Sequence, residues 1–429
     1  MFRQGRQSTP RRRLSPASLL PVAVLAVLLA GAAPARVANA APPVVPPVDS
    51  WLYQLQDLDP AKVADSGYEL LVTDYSATGE EDGEWSPAEV ALMKSGGRTV
   101  LAYLSIGEAE DYRWYWDPAW EDDPPDWLGP ENPRWKGNWR VRYWDPEWQS
   151  IVLDYLDRIL AQGFDGVWLD IVDAYEFWGP DGKNEIPDAA DRMVAFVRRI
   201  AAHARAENPD FLVVPQNAPG LVERAGYLDV VSGIGAEDTW YRGNRRQHRQ
   251  QTREAVGFLD RFRNAGRRVL VVDYPRARKK VDGFYERAEA RGYVPFAARR
   301  DLDRLTTWRR HPAPPIAPVS LRAPAAGAAL DPGGAPEFSW SPLSGSRGYR
   351  VSFSGDPAFR KVITWPRGRK KVLRDATFTP TRKQWKKIRR QARRNDEGVV
   401  WWWVTRIDDD GHRRTCRAGW FRLAGEAGR

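Results

Sequence analysis

From residue 50 to residue 310 the chain alternates short apolar runs with longer amphipathic stretches. Eight runs read as strands: Trp51–Leu55, Leu70–Tyr75, Thr99–Ile106, Gly166–Ile171, Phe211–Gln216, Val230–Gly235, Val269–Tyr274 and Tyr293–Ala297. They are rich in Val, Leu, Ile and aromatic residues and mostly lack strict alternation. That is the pattern of parallel strands buried on both faces. Ser86-Pro87-Ala88-Glu89 predicts a capping box with proline at the first helical position, and Gly96-Gly97 a stop. Asp145-Pro146-Glu147 opens a second helix, with Ile151, Tyr155, Ile159 and Leu160 on one face and Gly163 at its end. Pro187 to Glu207 is a third, with Met193, Val197 and Ile200 on its apolar side, and Gln247 to Asn264 a fourth, closed by Gly266. Strands alternating with helices in this number predict an α/β fold, a (β/α)₈ TIM barrel, in preference to an open doubly wound sheet.

Beyond residue 310 the periodicity changes. Residues 311–318, His311 to Pro318, are Pro-rich and read as a linker. Phe338-Ser339-Trp340, Tyr349–Phe353 and Val399–Ile407 then alternate in strand fashion, with turn residues such as Asp410-Gly411 between them. They predict a small all-β sandwich over residues 319–429. The very basic stretch Arg382 to Arg394 is expected to be helical or irregular and reads as a solvated surface, with attachment to an anionic cell-wall polymer as the second reading.

At the other end, Arg11, Arg12 and Arg13 precede an apolar stretch from Leu19 to Leu29, and Ala38-Asn39-Ala40 fits small-x-small cleavage. Residues 1–40 are therefore expected to be a signal peptide cut after Ala40, leaving a Pro-rich leader at 41–49 and a barrel at 50–310 in a secreted or cell-surface protein. The paired arginines would also suit twin-arginine export. The apolar stretch is short for a spanning helix.

Charge divides the chain in the same way. The formal net charge is +9, yet residues 41–310 carry −11 and residues 311–429 carry +14. An acidic barrel suits a neutral or cationic ligand and repels nucleic acid. The one cysteine, Cys416, excludes an intramolecular disulfide, and four scattered histidines offer no metal cluster. There is no phosphate-cradling glycine loop. No metal or cofactor is expected.

In a (β/α)₈ barrel the active site forms at the C-terminal ends of the strands. Here those ends carry Tyr53 and Gln54; Asp74 and Tyr75; Tyr103, Ser105 and Glu108; Asp170, followed by Asp173; Gln216 and Asn217; Glu237 and Asp238; and Asp273 and Tyr274. Carboxylates, amides and phenols suit sugar hydroxyls, and glycoside hydrolysis needs two carboxyl groups flanking the bond. Asp170 stands out because it follows the apolar Gly166-Val167-Trp168-Leu169. Glu237 stands out because Gly235-Ala236 before it leaves room for a ligand, and Glu is a poorer helix cap than Asp. The remaining candidates, Tyr53, Asp74, Tyr103, Glu108, Asp173, Gln216, Asn217, Asp273 and Tyr274, read as substrate-binding. The loop after the third strand, from Ile106 to Tyr143, is long and holds Trp114, Trp116, Trp120, Trp127, Trp135 and Trp139. One or two of these rings are expected to stack on sugars, the rest to pin the loop.

These strings also carry a resemblance. Gly163 to Tyr175 (GFDGVWLDIVDAY) resembles the strand-four signature of glycoside hydrolase family 114, which includes endo-α-1,4-polygalactosaminidases. Trp51 to Gln56, Ala102 to Glu110, Trp144 to Trp148 and Gly235 to Asp238 are similar to further stretches of that family. The resemblance implies a barrel hydrolase acting on an amino-sugar polysaccharide, with Asp170 as nucleophile or base and Glu237 as acid. It does not extend to residues 319–429, which resemble a fibronectin type III-like module. A glycan-binding protein that has kept the barrel without catalysis is the alternative.

Overall fold

A computed structural model describes residues 41–305, 316–368 and 371–424. The expected signal peptide with its cleavage site, and residues 311–315 of the linker, lie outside the described residues. Among the described residues, no helix is long and apolar enough to cross a membrane.

The strands of the barrel are β1 (Trp51–Tyr53), β2 (Leu70–Thr73), β3 (Thr99–Ser105), β4 (Gly166–Asp170), β5 (Leu212–Pro215), β6 (Gly233–Glu237), β7 (Arg268–Asp273) and β8 (Val294–Ala297). Strands β1 to β5 pair in parallel in chain order, and so do β6 to β8. A single parallel bridge between Gln216 and Gly235 joins the two groups, and Asn217 N–H donates to the Gly235 carbonyl at 2.9 Å. Across the seam between β8 and β1, the Trp51 indole N–H donates to the Val294 carbonyl at 3.0 Å. The expected (β/α)₈ barrel is what the chain forms.

Local sequence explains the helices. Ser86 and Glu89 form the reciprocal capping box ahead of helix Pro87–Met93. Asp145 accepts from Glu147 N–H, and helix Pro146–Gln162 stops at Gly163, whose φ of 85° suits glycine. The third and fourth helices begin two residues later than the periodicity suggests, at Ala189 and Arg249. The sixth strand is also displaced. Val230 and Val231 turn back on the Tyr227 carbonyl, so this β-branched pair is core but not strand.

Aromatic rings fill the barrel. Trp168 lies 5.3 Å from Trp51 and 5.5 Å from Tyr53, centroid to centroid, and Trp51 lies 5.7 Å from Phe296. A Cβ on Gly235 would fall 2.1 Å from the Trp168 ring. The small residue before Glu237 therefore makes room for Trp168, not for a ligand as the sequence suggested. At the opposite end, leader residue Val45 is buried, and its N–H donates to Ser232 at the entry to β6.

The segment after β3 is not an irregular loop. Glu108–Glu110, Leu128–Glu131 and Asn138–Val141 form a three-stranded antiparallel sheet. Gly137, at φ 84°, leads into its last strand. Rings interlock beneath it: Trp116 with Trp120 and Trp139, Trp120 with Trp127, and Trp127 with Trp148. Trp135 alone of the six tryptophans in this segment is more than half exposed. Pinning accounts for most of the rings.

The C-terminal region folds around its own hydrophobic cluster. One sheet comprises Leu321–Ala323, Phe338–Trp340 and Thr377–Phe378. The other comprises Ala328–Leu330, Ser346–Ser354, Ile363–Trp365, Val399–Asp408, Arg413–Thr415 and Gly419–Leu423. Phe338 of the first meets Trp402 of the second at 5.0 Å. The expected all-β character needs one amendment, a helix at Arg382–Ala392. Thr381 and Gln384 cap it, and Trp385, Ile388 and Ala392 bury its inner face, while Arg382, Lys383, Lys386 and Arg390 are exposed. Of the two expectations for this stretch, helical or irregular, the helix is what forms, and its solvated side is only one of its faces.

This region docks on the barrel helix Arg278–Arg291 through polar groups. Glu286 accepts from the Ser352 hydroxyl at 2.7 Å and the Trp403 indole at 3.1 Å. Arg287 donates to the Phe359 carbonyl, and Glu289 accepts from Thr415 N–H. The Trp240 indole N–H donates to the Ala358 carbonyl at 3.0 Å.

Because Trp168 is wedged among Trp51, Tyr53 and Gly235, substitution of Gly235 overpacks the barrel. Gly235→Ala should lower unfolding stability by about 1–3 kcal/mol, measured by urea or thermal melts, and weaken whatever activity depends on Asp170. An unchanged melting temperature would contradict the packing described.

Candidate active site

Three consecutive strand ends carry the candidate chemistry, and each is followed by a residue in the left-handed region. Ile171 after Asp170 has φ 55°, Asn217 after Gln216 has φ 62° and Asp238 after Glu237 has φ 51°. For a β-branched residue such as Ile171 this conformation is costly, and such strain concentrates at functional sites. Gly107 lies against this turn: a Cβ there would sit 2.2 Å from the Ile171 carbonyl.

Asp170 lies at the mouth and is partly exposed. Tyr103 OH donates to its Oδ2 at 3.0 Å, and Gln216 Nε2 donates to its Oδ1 at 2.8 Å. Gln216 is itself fixed by the Trp168 indole N–H, which donates to Oε1 at 2.6 Å. Burial pushes the Asp170 carboxyl up to about 6. Its bond from Ile171 N–H and that from Tyr103 oppose the rise, and the neighbouring Asp173 charge adds to it.

Glu237 ends β6. Tyr274 OH donates to its Oε1, Asn217 Oδ1 accepts from its backbone N–H at 3.0 Å, and Arg300 stands 3.9 Å from its Oε2. Burial pushes its carboxyl up to about 7, with the Tyr274 bond pulling down and the Asp170 charge pushing up. Tyr53, at the end of β1, is buried, and the charges of both Asp170 and Glu237 add to the burial that pushes its phenol up. Two carboxyl groups thus share one mouth, and the charge of Asp170 disfavours ionisation of Glu237.

The other candidates separate into two groups. Tyr53, Tyr103, Gln216, Asn217 and Tyr274 surround the pair. Asp173 stands beside Asp170, is raised to about 6 chiefly by burial, and makes no capping hydrogen bond to the helix Ala174–Trp178 that follows it. The remaining three are committed elsewhere. Asp74 is buried and bonded through both oxygens to Arg113, at 2.9 and 2.8 Å. Asp273 is fully buried and accepts from Thr239, Trp240 and Tyr241 N–H at 2.7–2.9 Å, clamping the loop after β6. Glu108 is buried at the root of the inserted sheet, with Oε1 held by Asn132 at 2.8 Å and Oε2 unpartnered.

Sequence reasoning passed over Arg300, Trp168, Glu110 and Arg113. Arg300 follows β8, binds Asp238 at 2.6 Å and lies over the Tyr274 ring. Its surroundings, Ala-Arg-Arg-Asp, look like charged surface. The available signal was the rule that every strand of a barrel delivers its end to the mouth.

The model of glycoside hydrolase family GH114 matches residues 32–313, and the chain belongs to that family. An uncharacterized protein of Thermotoga maritima is 40% identical over 266 residues, spanning 60% of this chain and 82% of that protein. One from Methanocaldococcus jannaschii is 42% identical over 271 residues, spanning 60% and 78%. Among solved structures, the glycoside hydrolase domain of PelA from Pseudomonas aeruginosa covers 60% of this chain and 98% of its own, at 20% identity and a TM-score of 0.47. Aspergillus fumigatus Ega3 in complex with galactosamine covers 60% and 94%, at 18% identity and the same TM-score.

Glu108 gives a test that needs no substrate. Burial pushes its carboxyl up to about 7, with Asn132 opposing. Its contribution to stability is therefore full below the unfolded value of about 4.3 and is lost as pH rises through 7. Glu108→Gln removes that loss. The variant should gain on the parent between pH 5 and 8, by roughly 1–3 kcal/mol at the upper end. Urea melts at several pH values measure it, and a gap that does not widen with pH would refute it.

Proposed function

We propose that this family 114 glycoside hydrolase is a secreted enzyme that cuts α-1,4-linked galactosamine-type polysaccharide with Asp170 and Glu237 as its acid pair. The observation that carries the reading is two carboxyl groups at one barrel mouth, both raised chiefly by burial, with the Asp170 charge lifting Glu237 further. The family resemblance supplies the substrate class. The net negative charge of residues 41–310 supports it, because a partly deacetylated amino-sugar polymer is cationic.

The roles follow from the surroundings. Asp170 receives two side-chain hydrogen bonds, from Tyr103 and Gln216, which favour its ionised form. It would act on the anomeric carbon, directly or through a water molecule. Glu237 holds its proton to higher pH and would pass it to the departing glycosidic oxygen through the mouth it shares with Asp170. Asp173, beside Asp170 and uncommitted to a helix cap, offers a counter-charge for a protonated sugar amine. Export follows from the basic, apolar and small-x-small segments of residues 1–40.

Asp170→Asn and Glu237→Gln should each reduce reducing-end release from deacetylated α-1,4-galactosamine oligomers by at least about 100-fold, with unchanged circular dichroism. Retention of wild-type turnover by either variant would sink the assignment. A protein that binds the oligomers but releases no reducing ends would be the non-catalytic barrel. Activity should follow a bell with pH. It rises as Asp170 ionises near 6 and falls as Glu237 loses its proton near 7. Asp170→Glu or Glu237→Asp should displace one limb and leave the other.

A further inference from the structure

Tyr103, in the middle of β3, has one phenolic proton and two carboxylates to choose from. Its oxygen lies 3.0 Å from Asp170 Oδ2 and 3.5 Å from Glu110 Oε1. Glu110 is buried and has other donors. Tyr112 OH gives to its Oε1 at 2.8 Å, and Arg113 Nε gives to its Oε2 at 2.6 Å. Arg113 is itself buried. Its remaining nitrogens donate to both oxygens of Asp74 and to the Gly79 carbonyl at 3.1 Å, and the Tyr112 ring lies 4.8 Å from its guanidinium. The Asp74–Arg113–Glu110 triad is thus closed on itself behind the mouth. As stabilisation alone it is a poor bargain, since well-packed apolar side chains usually serve as well as a buried ion network.

We infer that Tyr112 and Arg113, each holding one oxygen of Glu110, weaken its claim on Tyr103 so that the single Tyr103 proton is committed to Asp170, which makes Tyr112, Arg113 and Glu110 positioning residues for the reacting carboxylate. The inference rests on Asp170 being one of the reacting pair, but its test does not. A carboxylate that already accepts two strong donors competes weakly for a third, whereas one with a missing donor pulls the phenol towards itself. Removing a donor from Glu110 should therefore take a hydrogen bond away from Asp170 without touching it. The groups facing Asp170 are Tyr53 on β1, Tyr103 on β3, Glu108 and Glu110 on the inserted sheet, Asp173 on its own loop, the uncharged Gln216 after β5 and Glu237 on β6. Among them Tyr103 and Gln216 are the side-chain donors to the Asp170 carboxylate, so a change in the allegiance of Tyr103 registers directly in its titration.

The experiment is a carboxyl-¹³C NMR titration of Asp170 in the full chain, with the resonance assigned by its loss in Asp170→Asn. Arg113→Met would strip two buried carboxylates of their partner and risks unfolding. Tyr112→Phe is the gentler variant, because Tyr112 is 41% exposed and the ring stays. It should raise the Asp170 midpoint by about half a pH unit, and Tyr103→Phe by about one. The double variant should stand no higher than Tyr103→Phe alone, because the influence of Tyr112 passes through that hydroxyl. A Tyr112→Phe midpoint that does not rise, or one whose rise persists undiminished in the Tyr103→Phe background, would overturn the inference. No polysaccharide is needed, so loss of the hydrolase reading would leave this result standing, and the reverse holds too.

Discussion

The indole of Trp168 is the contact on which the mouth is built. Its ring fills the barrel against Trp51 and Tyr53, and its N–H fixes Gln216, which in turn holds Asp170. The space it needs is granted by the missing side chain of Gly235, two residues before Glu237. One ring therefore couples β4, β5 and β6, so hydrophobic filling and carboxylate placement are the same event. A barrel closed by small aliphatic layers would hold its strands equally well but would lack this polar handle at the level of the two carboxyl groups.

Around that contact the protein accumulates like charges at a cost. Asp170, Asp173, Glu108 and Glu237 are all lifted from their ordinary range, each chiefly by burial. Left-handed residues directly after three strand ends add local strain. These are conflicts between local preference and global fold, and they cluster at one end of one barrel, where function most often resides. Elsewhere the chain agrees with itself: helices Pro87–Met93 and Pro146–Gln162 start at their caps and bury apolar faces, and the second stops at Gly163.

Much of this was legible in the sequence because it rests on local chemistry. Parallel strands announce themselves by unbroken apolar runs, and the Asp145 and Ser86 caps by spacing. The pairing of Asp170 with Glu237 at one mouth follows from the rule that places sites at strand ends. What stayed hidden depended on long-range partners. Asp74 and Asp273 look like ligands in the sequence because their partners, Arg113 and the N–H groups of residues 239–241, lie more than thirty positions away. Gly235 looked like room for a substrate because nothing local says that the Trp168 ring fills it. The segment 106–143 looked irregular because its strands are short and separated by turns, and their pairing with one another is not written in a period. The basic stretch at 382–394 was legible as helical or irregular, but its buried face was not, because basic residues outnumber the three apolar positions at helical spacing.

The Trp240 hydrogen bond to Ala358 has a temporal consequence. Trp240 belongs to the loop that Asp273 clamps immediately after Glu237, and its partner is 118 positions further along the chain. Arg414 reaches Asp49 across 365 positions. During synthesis the eight strands emerge and can pair before either partner exists, so the barrel must wait, with the Glu237 loop incompletely fastened, until the C-terminal region has left the ribosome. Non-local closure of this kind slows maturation. It also orders it: the wall comes first and the rim last.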